Sequence, residues 1–263
     1  MSLPKHTLIT GASGTLGSKL SQYLRGQSEL TLLDQVETPG VIVADLSRWD
    51  EKWVSHFKGV DAVVHFAGNP IAFDEWDALL EPNVDAVLNV FEAAARNGVR
   101  RVVFASSNHV MGGYRDISEA QITEELTPRP GVQYFANGEE RNSAVYGATK
   151  LFGERIGKHF AEVRGLEVLS VRIGWVWKGK NLPGELPSER GDWFRNMWLS
   201  DRDFLHLMER CLISTLPARH MIVNGMSSNS GMRWDLSVAL NLLGYAPQDD
   251  VHAERSNNDS ADE

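Results

Sequence analysis

The sequence predicts an α/β fold built on a doubly wound parallel sheet. Short apolar runs alternate with helix-patterned segments from the start of the chain, regularly spaced glycines follow the first run, and an acidic residue closes the second. Such alternation argues for parallel strands, with ligand gathered at their carboxyl ends. With 263 residues, 42% of them hydrophobic, the chain can bury a sizeable core as one compact unit, here taken as residues 1–254.

His6–Thr10 reads as a short buried strand ending at Gly11, and Gly11, Gly14 and Gly17 then follow in the pattern G-x-x-G-x-x-G. Ser18 to Leu24 runs as an amphipathic helix. Glycines here let the backbone turn tightly and approach a pyrophosphate, while the helix N-terminus offers unpaired N–H groups. Leu30–Leu33 predicts the second strand, closed by Asp34. An acidic residue about 20 positions past the glycines is where a ribose 2′-hydroxyl is held. Its carboxylate repels a 2′-phosphate, which argues for NAD over NADP. A third strand is expected over 41–46, with Asp45 and Leu46 bordering the adenine. A fourth is expected over 61–68, where Ala67-Gly68 suits a backbone passing close to a cofactor. Asn83 falls in a helix beginning near Ala78, and Arg101 to Ser107 forms a fifth strand ending in two hydroxyls. Met221 to Asn224 reads as a later strand, followed by a polar turn over 225–231.

Tyr146 and Lys150 stand four residues apart in Ser143-Ala-Val-Tyr-Gly-Ala-Thr-Lys150, one turn apart on a single helix face. A phenol has an ordinary pKa of roughly 10, and a nearby ammonium favours its ionised form. The pair is an acid/base unit suited to taking a proton from a hydroxyl group.

The net charge of −9 and the lack of a dense basic stretch argue against nucleic acid or an anionic membrane as partner. A lone Cys211 suits a reducing compartment, and the histidines are scattered singly rather than at metal-ligand spacing. Met1 to Lys5 leads straight into a strand, so no signal peptide is expected, and no apolar run approaches the ~20 residues that span a bilayer. The expectation is a cytoplasmic protein. Residues 177–188 hold two Pro and two Gly and read as a loop or lid, whereas the acidic 255–263 tail is expected to be disordered. Segments 112–142 and 176–250 are left to form a small cap.

Together, Thr10-Gly-Ala-Ser-Gly-Thr-Leu-Gly17, Asp34, Asp45-Leu46, His65-Phe-Ala-Gly68, Phe104-Ala-Ser-Ser-Asn-His109 and Tyr146-x-x-x-Lys150 resemble the extended short-chain dehydrogenase/reductase superfamily, also described as the NAD-dependent epimerase/dehydratase family. The likeness spans roughly residues 5–250. Within that superfamily the chain is similar to the uronate dehydrogenases and the archaeal-type NAD-dependent glucose-6-phosphate dehydrogenases. Both groups carry Ala-Ser-Ser-Asn-His, as at 105–109, and Val-Arg-Ile-Gly, as at 171–174.

The resemblance implies a Rossmann-type doubly wound parallel sheet with a small C-terminal substrate-binding cap. It implies NAD held by Gly11, Ser13, Gly14, Thr15, Leu16, Gly17, Asp34, Asp45, Leu46, Phe66, Ala67, Gly68, Asn83, Tyr146, Lys150 and Ile173. Tyr146, Lys150 and Ser107 would carry catalysis, with Ser106 as the competing assignment for the serine. Strand alternation points the two hydroxyls different ways, so one of them has the role. Ser107, Asn108, His109, Trp175 and either Arg190 or Arg195 would contact a sugar, oxidised at C1 to a lactone. A homodimer through the helices bearing Asn83 and Tyr146 is also implied. The chain departs from the uronate group at Trp175, where those enzymes place a small polar residue, and in the longer 131–142 segment. Other readings are a sugar-nucleotide epimerase or dehydratase with tightly bound NAD, and a non-catalytic NAD-sensing regulator.

Overall fold

The computed structural model describes residues 2–117, 121–136 and 138–253; the tail expected over 255–263 lies outside them. The strands are β1 (His6–Thr10), β2 (Glu29–Asp34), β3 (Ile42–Val43), β4 (Ala62–His65), β5 (Arg101–Ser107), β6 (Gln133–Ala136), β7 (Glu139–Asn142), β8 (Glu167–Ile173) and β9 (His220–Gly225). Seven of them form one sheet in the order β3-β2-β1-β4-β5-β8-β9, every pair parallel. The order reverses between β1 and β4, which opens a crevice at their carboxyl ends. β6 and β7 form a separate antiparallel hairpin.

The helices are α1 (Thr15–Leu24), α2 (Glu51–Val54), α3 (Trp76–Leu80), α4 (Ala86–Arg96), α5 (Ala144–Arg164), α6 (Gly191–Arg195) and α7 (Asp201–Ile213). α1 buries Gly17, Leu20, Ser21 and Leu24, the spacing of one helical face. With α7, which contributes Phe204, it covers one side of the sheet, over Ile9, Val64, Val103 and Val171. α4 and α5 cover the other side, packing Phe91 and Phe160 on Phe104 and Val168. α5 comes unusually near the strands because Gly153 has no side chain: a Cβ there would lie 2.2 Å from the Phe104 ring. Gly165, in the left-handed region at φ 75°, ends the helix.

Two expected elements differ in extent. The third strand covers only Ile42–Val43: the Ala44 N–H makes the last ladder bond, to the Asp34 carbonyl, and Asp45 then closes a turn through the Ser47 N–H. The helix carrying Asn83 begins at Trp76 and passes through a wide turn over Glu81–Asp85. Pro82 supplies no N–H, and the Ala78 carbonyl takes the Asn69 amide instead, at 3.3 Å.

Beyond the carboxyl edge of the sheet, Val110, Met111, Tyr134, Phe194, Met197 and Trp234 form a further apolar cluster. The 177–188 loop is pinned there by Asn181. This buried residue accepts the Trp177 N–H at 2.7 Å and the Trp198 indole at 2.9 Å, and donates to the Leu199 carbonyl at 2.8 Å.

Candidate active site

The glycine turn sits in the β1/β4 crevice. Gly11 has φ +67°, and a Cβ on it would lie 2.6 Å from the Ala67 nitrogen. A Cβ on Gly17 would lie 2.2 Å from the Gly11 carbonyl oxygen. Only glycine fits either position, and the result is a backbone cradle at the start of α1, with Ser13, Gly14, Thr15 and Leu16 between them. Asp34 closes one side: it accepts the Ser13 N–H at 2.9 Å and the Val36 N–H at 3.0 Å. Phe66, Ala67 and Gly68 close the other. The Ala67 N–H reaches the Thr10 hydroxyl at 3.3 Å, and Thr10 also meets His65 Nδ1 at 2.7 Å. Burial lowers the His65 pKa to about 3, with Lys150 adding to the effect, so its imidazole stays neutral.

Asn83 is buried behind this wall. It accepts the Asn69 N–H at 2.7 Å and donates to the Asn69 carbonyl at 3.1 Å and to Thr149 on α5 at 3.4 Å. It thus ties the loop after β4 to the helix of Tyr146. Leu46 is buried, whereas the exposed Asp45 spends one carboxylate oxygen on the Ser47 N–H and hydroxyl.

β5 and α5 bring Ser107, Tyr146 and Lys150 together. The Ser107 hydroxyl lies near enough to the Tyr146 phenol to favour its ionised form, and accepts the His109 N–H at 3.2 Å. Ser106 points to the opposite face of the sheet, donating at 2.7 Å to Glu154, which is held in turn by Arg172 at 2.8 and 2.9 Å. The alternation of the strand therefore separates the two serines, and Ser107 is the one at Tyr146. The expected lowering of the Tyr146 pKa by Lys150 is not what the site shows. Burial pushes the phenol up to about 12, opposed by the Ser107 hydroxyl. Burial also takes Lys150 down to about 8; its ammonium donates to the Ala105 carbonyl at 3.0 Å and lies 5.7 Å from the Tyr146 ring centroid.

Asn108 spends its amide on the Ile173 carbonyl at 3.0 Å, joining the ends of β5 and β8. His109 Nδ1 meets the Ser143 hydroxyl at 2.6 Å, and that hydroxyl accepts the Val132 N–H at 3.0 Å. The same hydroxyl reaches the Val132 carbonyl at 3.5 Å, so Ser143 holds Nδ1 in either tautomer and leaves Nε2 for another partner. Burial, with Arg190 adding to it, lowers the His109 pKa to about 4. Ser143 and Tyr134 join this cluster through contacts with His109, and no sequence motif marks either of them.

The two candidate arginines separate clearly. Arg195 donates to the Val251 carbonyl at 3.3 Å. Arg190 lies with its guanidinium carbon 4.7 Å from the Tyr134 ring centroid and 5.9 Å from that of Phe194. The Phe194 ring is 5.9 Å from His109 and 6.0 Å from Trp175. Of the two, Arg190 is the one the fold brings to His109, and Trp175 contributes to the aromatic wall behind it. Among the described residues, no group of three or more His, Cys, Asp or Glu side chains could hold a metal ion, and no helix is long and apolar enough to cross a membrane.

Residues 7–177 match the NAD dependent epimerase/dehydratase family. The chain is 33% identical to L-arabinose 1-dehydrogenase (NAD(P)(+)) of Haloferax volcanii, over 92% of this chain and 95% of that one. It is 34% identical to the NAD-dependent glucose-6-phosphate dehydrogenase of the same organism, over 92% of each. A crystal structure of a uronate dehydrogenase variant from Agrobacterium tumefaciens, complexed with NAD, superposes with a TM-score of 0.76 at 28% identity, over 94% of this chain and 86% of that one.

Proposed function

The chain belongs to the NAD dependent epimerase/dehydratase family, and from that premise we propose that it is an NAD-dependent sugar dehydrogenase that oxidises the C1 hydroxyl of an aldose to a lactone. The observation that carries this reading is the convergence of Ser107, Tyr146 and Lys150 at the carboxyl edge of the sheet, on the side where Arg190 and His109 approach. The relatives named above are dehydrogenases of arabinose, glucose 6-phosphate and uronate, and the first is named for position 1.

The cofactor is NAD; when bound it would supply the acceptor for the C1 hydride and, in its oxidised form, a positive charge that favours the phenolate. The turn through Gly11 and Gly17, too tight for a Cβ at either position, brings the N-terminus of α1 to where the NAD pyrophosphate would sit. Asp34, pinned by two backbone N–H groups, offers its carboxylate to the ribose hydroxyls. Tyr146 takes the proton from the C1 hydroxyl, and Ser107 donates a hydrogen bond to the same oxygen. Lys150 favours the phenolate by its charge and donates to the ribose. Neutral His109 offers its Nε2 to a sugar hydroxyl.

The leading substrates are aldoses bearing a carboxylate or phosphate, with Arg190 taking the anion. The protein works in the cytoplasm as a homodimer built on α4 and α5, whose outer faces leave Leu88 and Val163 exposed. Solution scattering that gives a monomer mass removes the dimer. The substrate reading is tested by offering NAD with free hexoses and pentoses, uronates and hexose phosphates, and following NADH. Reduction with at least one aldose, lost in Tyr146→Phe, supports it; no reduction above background with any of them sinks it.

A further inference from the structure

The β6–β7 hairpin brings Tyr134 to the substrate side of the site, where no family motif places a residue. Its ring is 7% exposed and meets Phe194 at 5.2 Å and 67°, and His109 at 6.5 Å and 61°. On its face lies the Arg190 guanidinium, at 4.7 Å. The charge of Arg190 also opposes the upward push that burial gives the Tyr134 pKa. The Arg190 Nε is buried and has no partner, and Arg190 makes no ion pair among the described residues. An arginine held on an aromatic face, with the Nε edge of its fork unspent, can offer two parallel N–H bonds to a two-oxygen anion.

We propose that Tyr134 is the positioning residue for Arg190, and that the 133–142 hairpin thereby sets the preference for sugars bearing an oxyanion. This inference rests on the sugar-dehydrogenase reading, but its physical content is a binding preference. Tyr134 fixes the guanidinium by its ring face, leaves the Nε edge free, and transmits its position through His109 to the ring of Tyr146, 5.5 Å further on. The shared ligand chemistry is a carboxylate or phosphate remote from C1.

The test is calorimetric titration of the NADH-loaded protein with glucuronate, glucose 6-phosphate and glucose as probes, for the wild type and for Tyr134→Leu, Tyr134→Phe and Arg190→Gln, each first checked for an unchanged melting temperature. The readout is the ratio of affinity for each anionic sugar to that for glucose. Tyr134→Leu is expected to lower that ratio about tenfold, the worth of one desolvated cation–π contact. Tyr134→Phe, which keeps the ring face, should leave it within about twofold of the wild type. Arg190→Gln should abolish the preference. The glucuronate and glucose 6-phosphate arms tell which anion the site takes. An unchanged ratio in Tyr134→Leu overturns the proposal, as does an equal loss of affinity for glucose, which marks a merely structural role. Should Tyr134→Leu fail to fold, a preference that survives in Arg190→Gln overturns it alone, and so does a wild type without any preference. A wild type that binds with this pattern yet forms no NADH sinks the dehydrogenase reading and leaves the Tyr134 assignment standing.

Discussion

The rings of His109 and Tyr146 meet edge to face, with centroids 5.5 Å apart at 88°. One ring follows the end of β5 and the other opens α5, so this contact locks the two elements that deliver Ser107 and Tyr146. Ser143 fixes the His109 side of it through Nδ1 at 2.6 Å. The pair places a neutral hydrogen-bonding ring beside the proton acceptor, and the chemistry of the site depends on that adjacency.

The pH dependence of oxidation follows from the two buried groups. Activity needs a deprotonated Tyr146, pushed up to about 12 in the cofactor-free protein, and a protonated Lys150, lowered to about 8. Below pH 8 the phenolate fraction rises about tenfold per unit. Above it, the gain is cancelled as Lys150 loses its charge. The logarithm of kcat/KM should therefore climb with unit slope and flatten near pH 8, and Tyr146→Phe should lower kcat by about 10²–10⁴. A rate independent of pH between 6 and 8 contradicts this.

Lys150 is held at a cost in stability. Its pKa falls from 10.5 to about 8 on burial, a penalty of about 3 kcal/mol from the shift, present in full below pH 8 where both folded and unfolded chains carry the proton. Between pH 8 and 10.5 the unfolded chain binds the extra proton, and stability should rise with pH. Lys150→Met should make the cofactor-free protein more stable at neutral pH by about 1–3 kcal/mol while removing activity. Denaturant titration showing a less stable variant refutes the assignment of the penalty.

Ser106 and Ser107 should respond in opposite ways. Ser106→Ala removes a 2.7 Å bond to the buried Glu154, costing about 1–3 kcal/mol of stability with kcat nearly intact. Ser107→Ala removes the hydroxyl beside Tyr146 and should lower kcat by about 10², with a stability loss of about 0.5–2 kcal/mol from the cap it gives the His109 N–H. Paired melting and kinetic measurements check both, and a kinetic defect in Ser106→Ala of equal size contradicts the division.

Cofactor choice tests Asp34. Both of its oxygens are fixed by backbone N–H groups, at 2.9 and 3.0 Å, so it cannot swing clear of a 2′-phosphate. kcat/KM should favour NAD over NADP by about 10²-fold, a few kcal/mol of repulsion at short range near a protein surface. Asp34→Ser should narrow the gap. The arabinose relative is named for both cofactors, which makes the comparison discriminating. Equal efficiencies with NAD and NADP in the wild type contradict the role given to Asp34.

Much of the site was legible because its signals are local. The Gly11–Gly17 cradle and the Tyr146/Lys150 turn are each written within a few residues, and the period-two alternation of a strand turns Ser106 and Ser107 different ways. The parts that sequence left open depend on contacts between distant segments. The hydrogen bond between His109 and Ser143 joins residues 34 apart, and that between Asn83 and Thr149 joins residues 66 apart. Arg190 and Arg195 are indistinguishable by local chemistry; the hairpin bearing Tyr134 and the Val251 carbonyl assign them to different places. The direction of the Tyr146 shift was misjudged because spacing reports an ammonium's nearness but not the depth of burial, and burial dominates here.

The central claim is hydride transfer from sugar C1, and an aldose deuterated at C1 tests it most directly. With a substrate found by the panel, mass spectrometry should recover the deuterium in the reduced nicotinamide and a lactone or its hydrolysed acid as product. Turnover should slow relative to the unlabelled sugar under single-turnover conditions. Deuterium retained in an isomerised sugar, with no net reduction of NAD, would contradict the account.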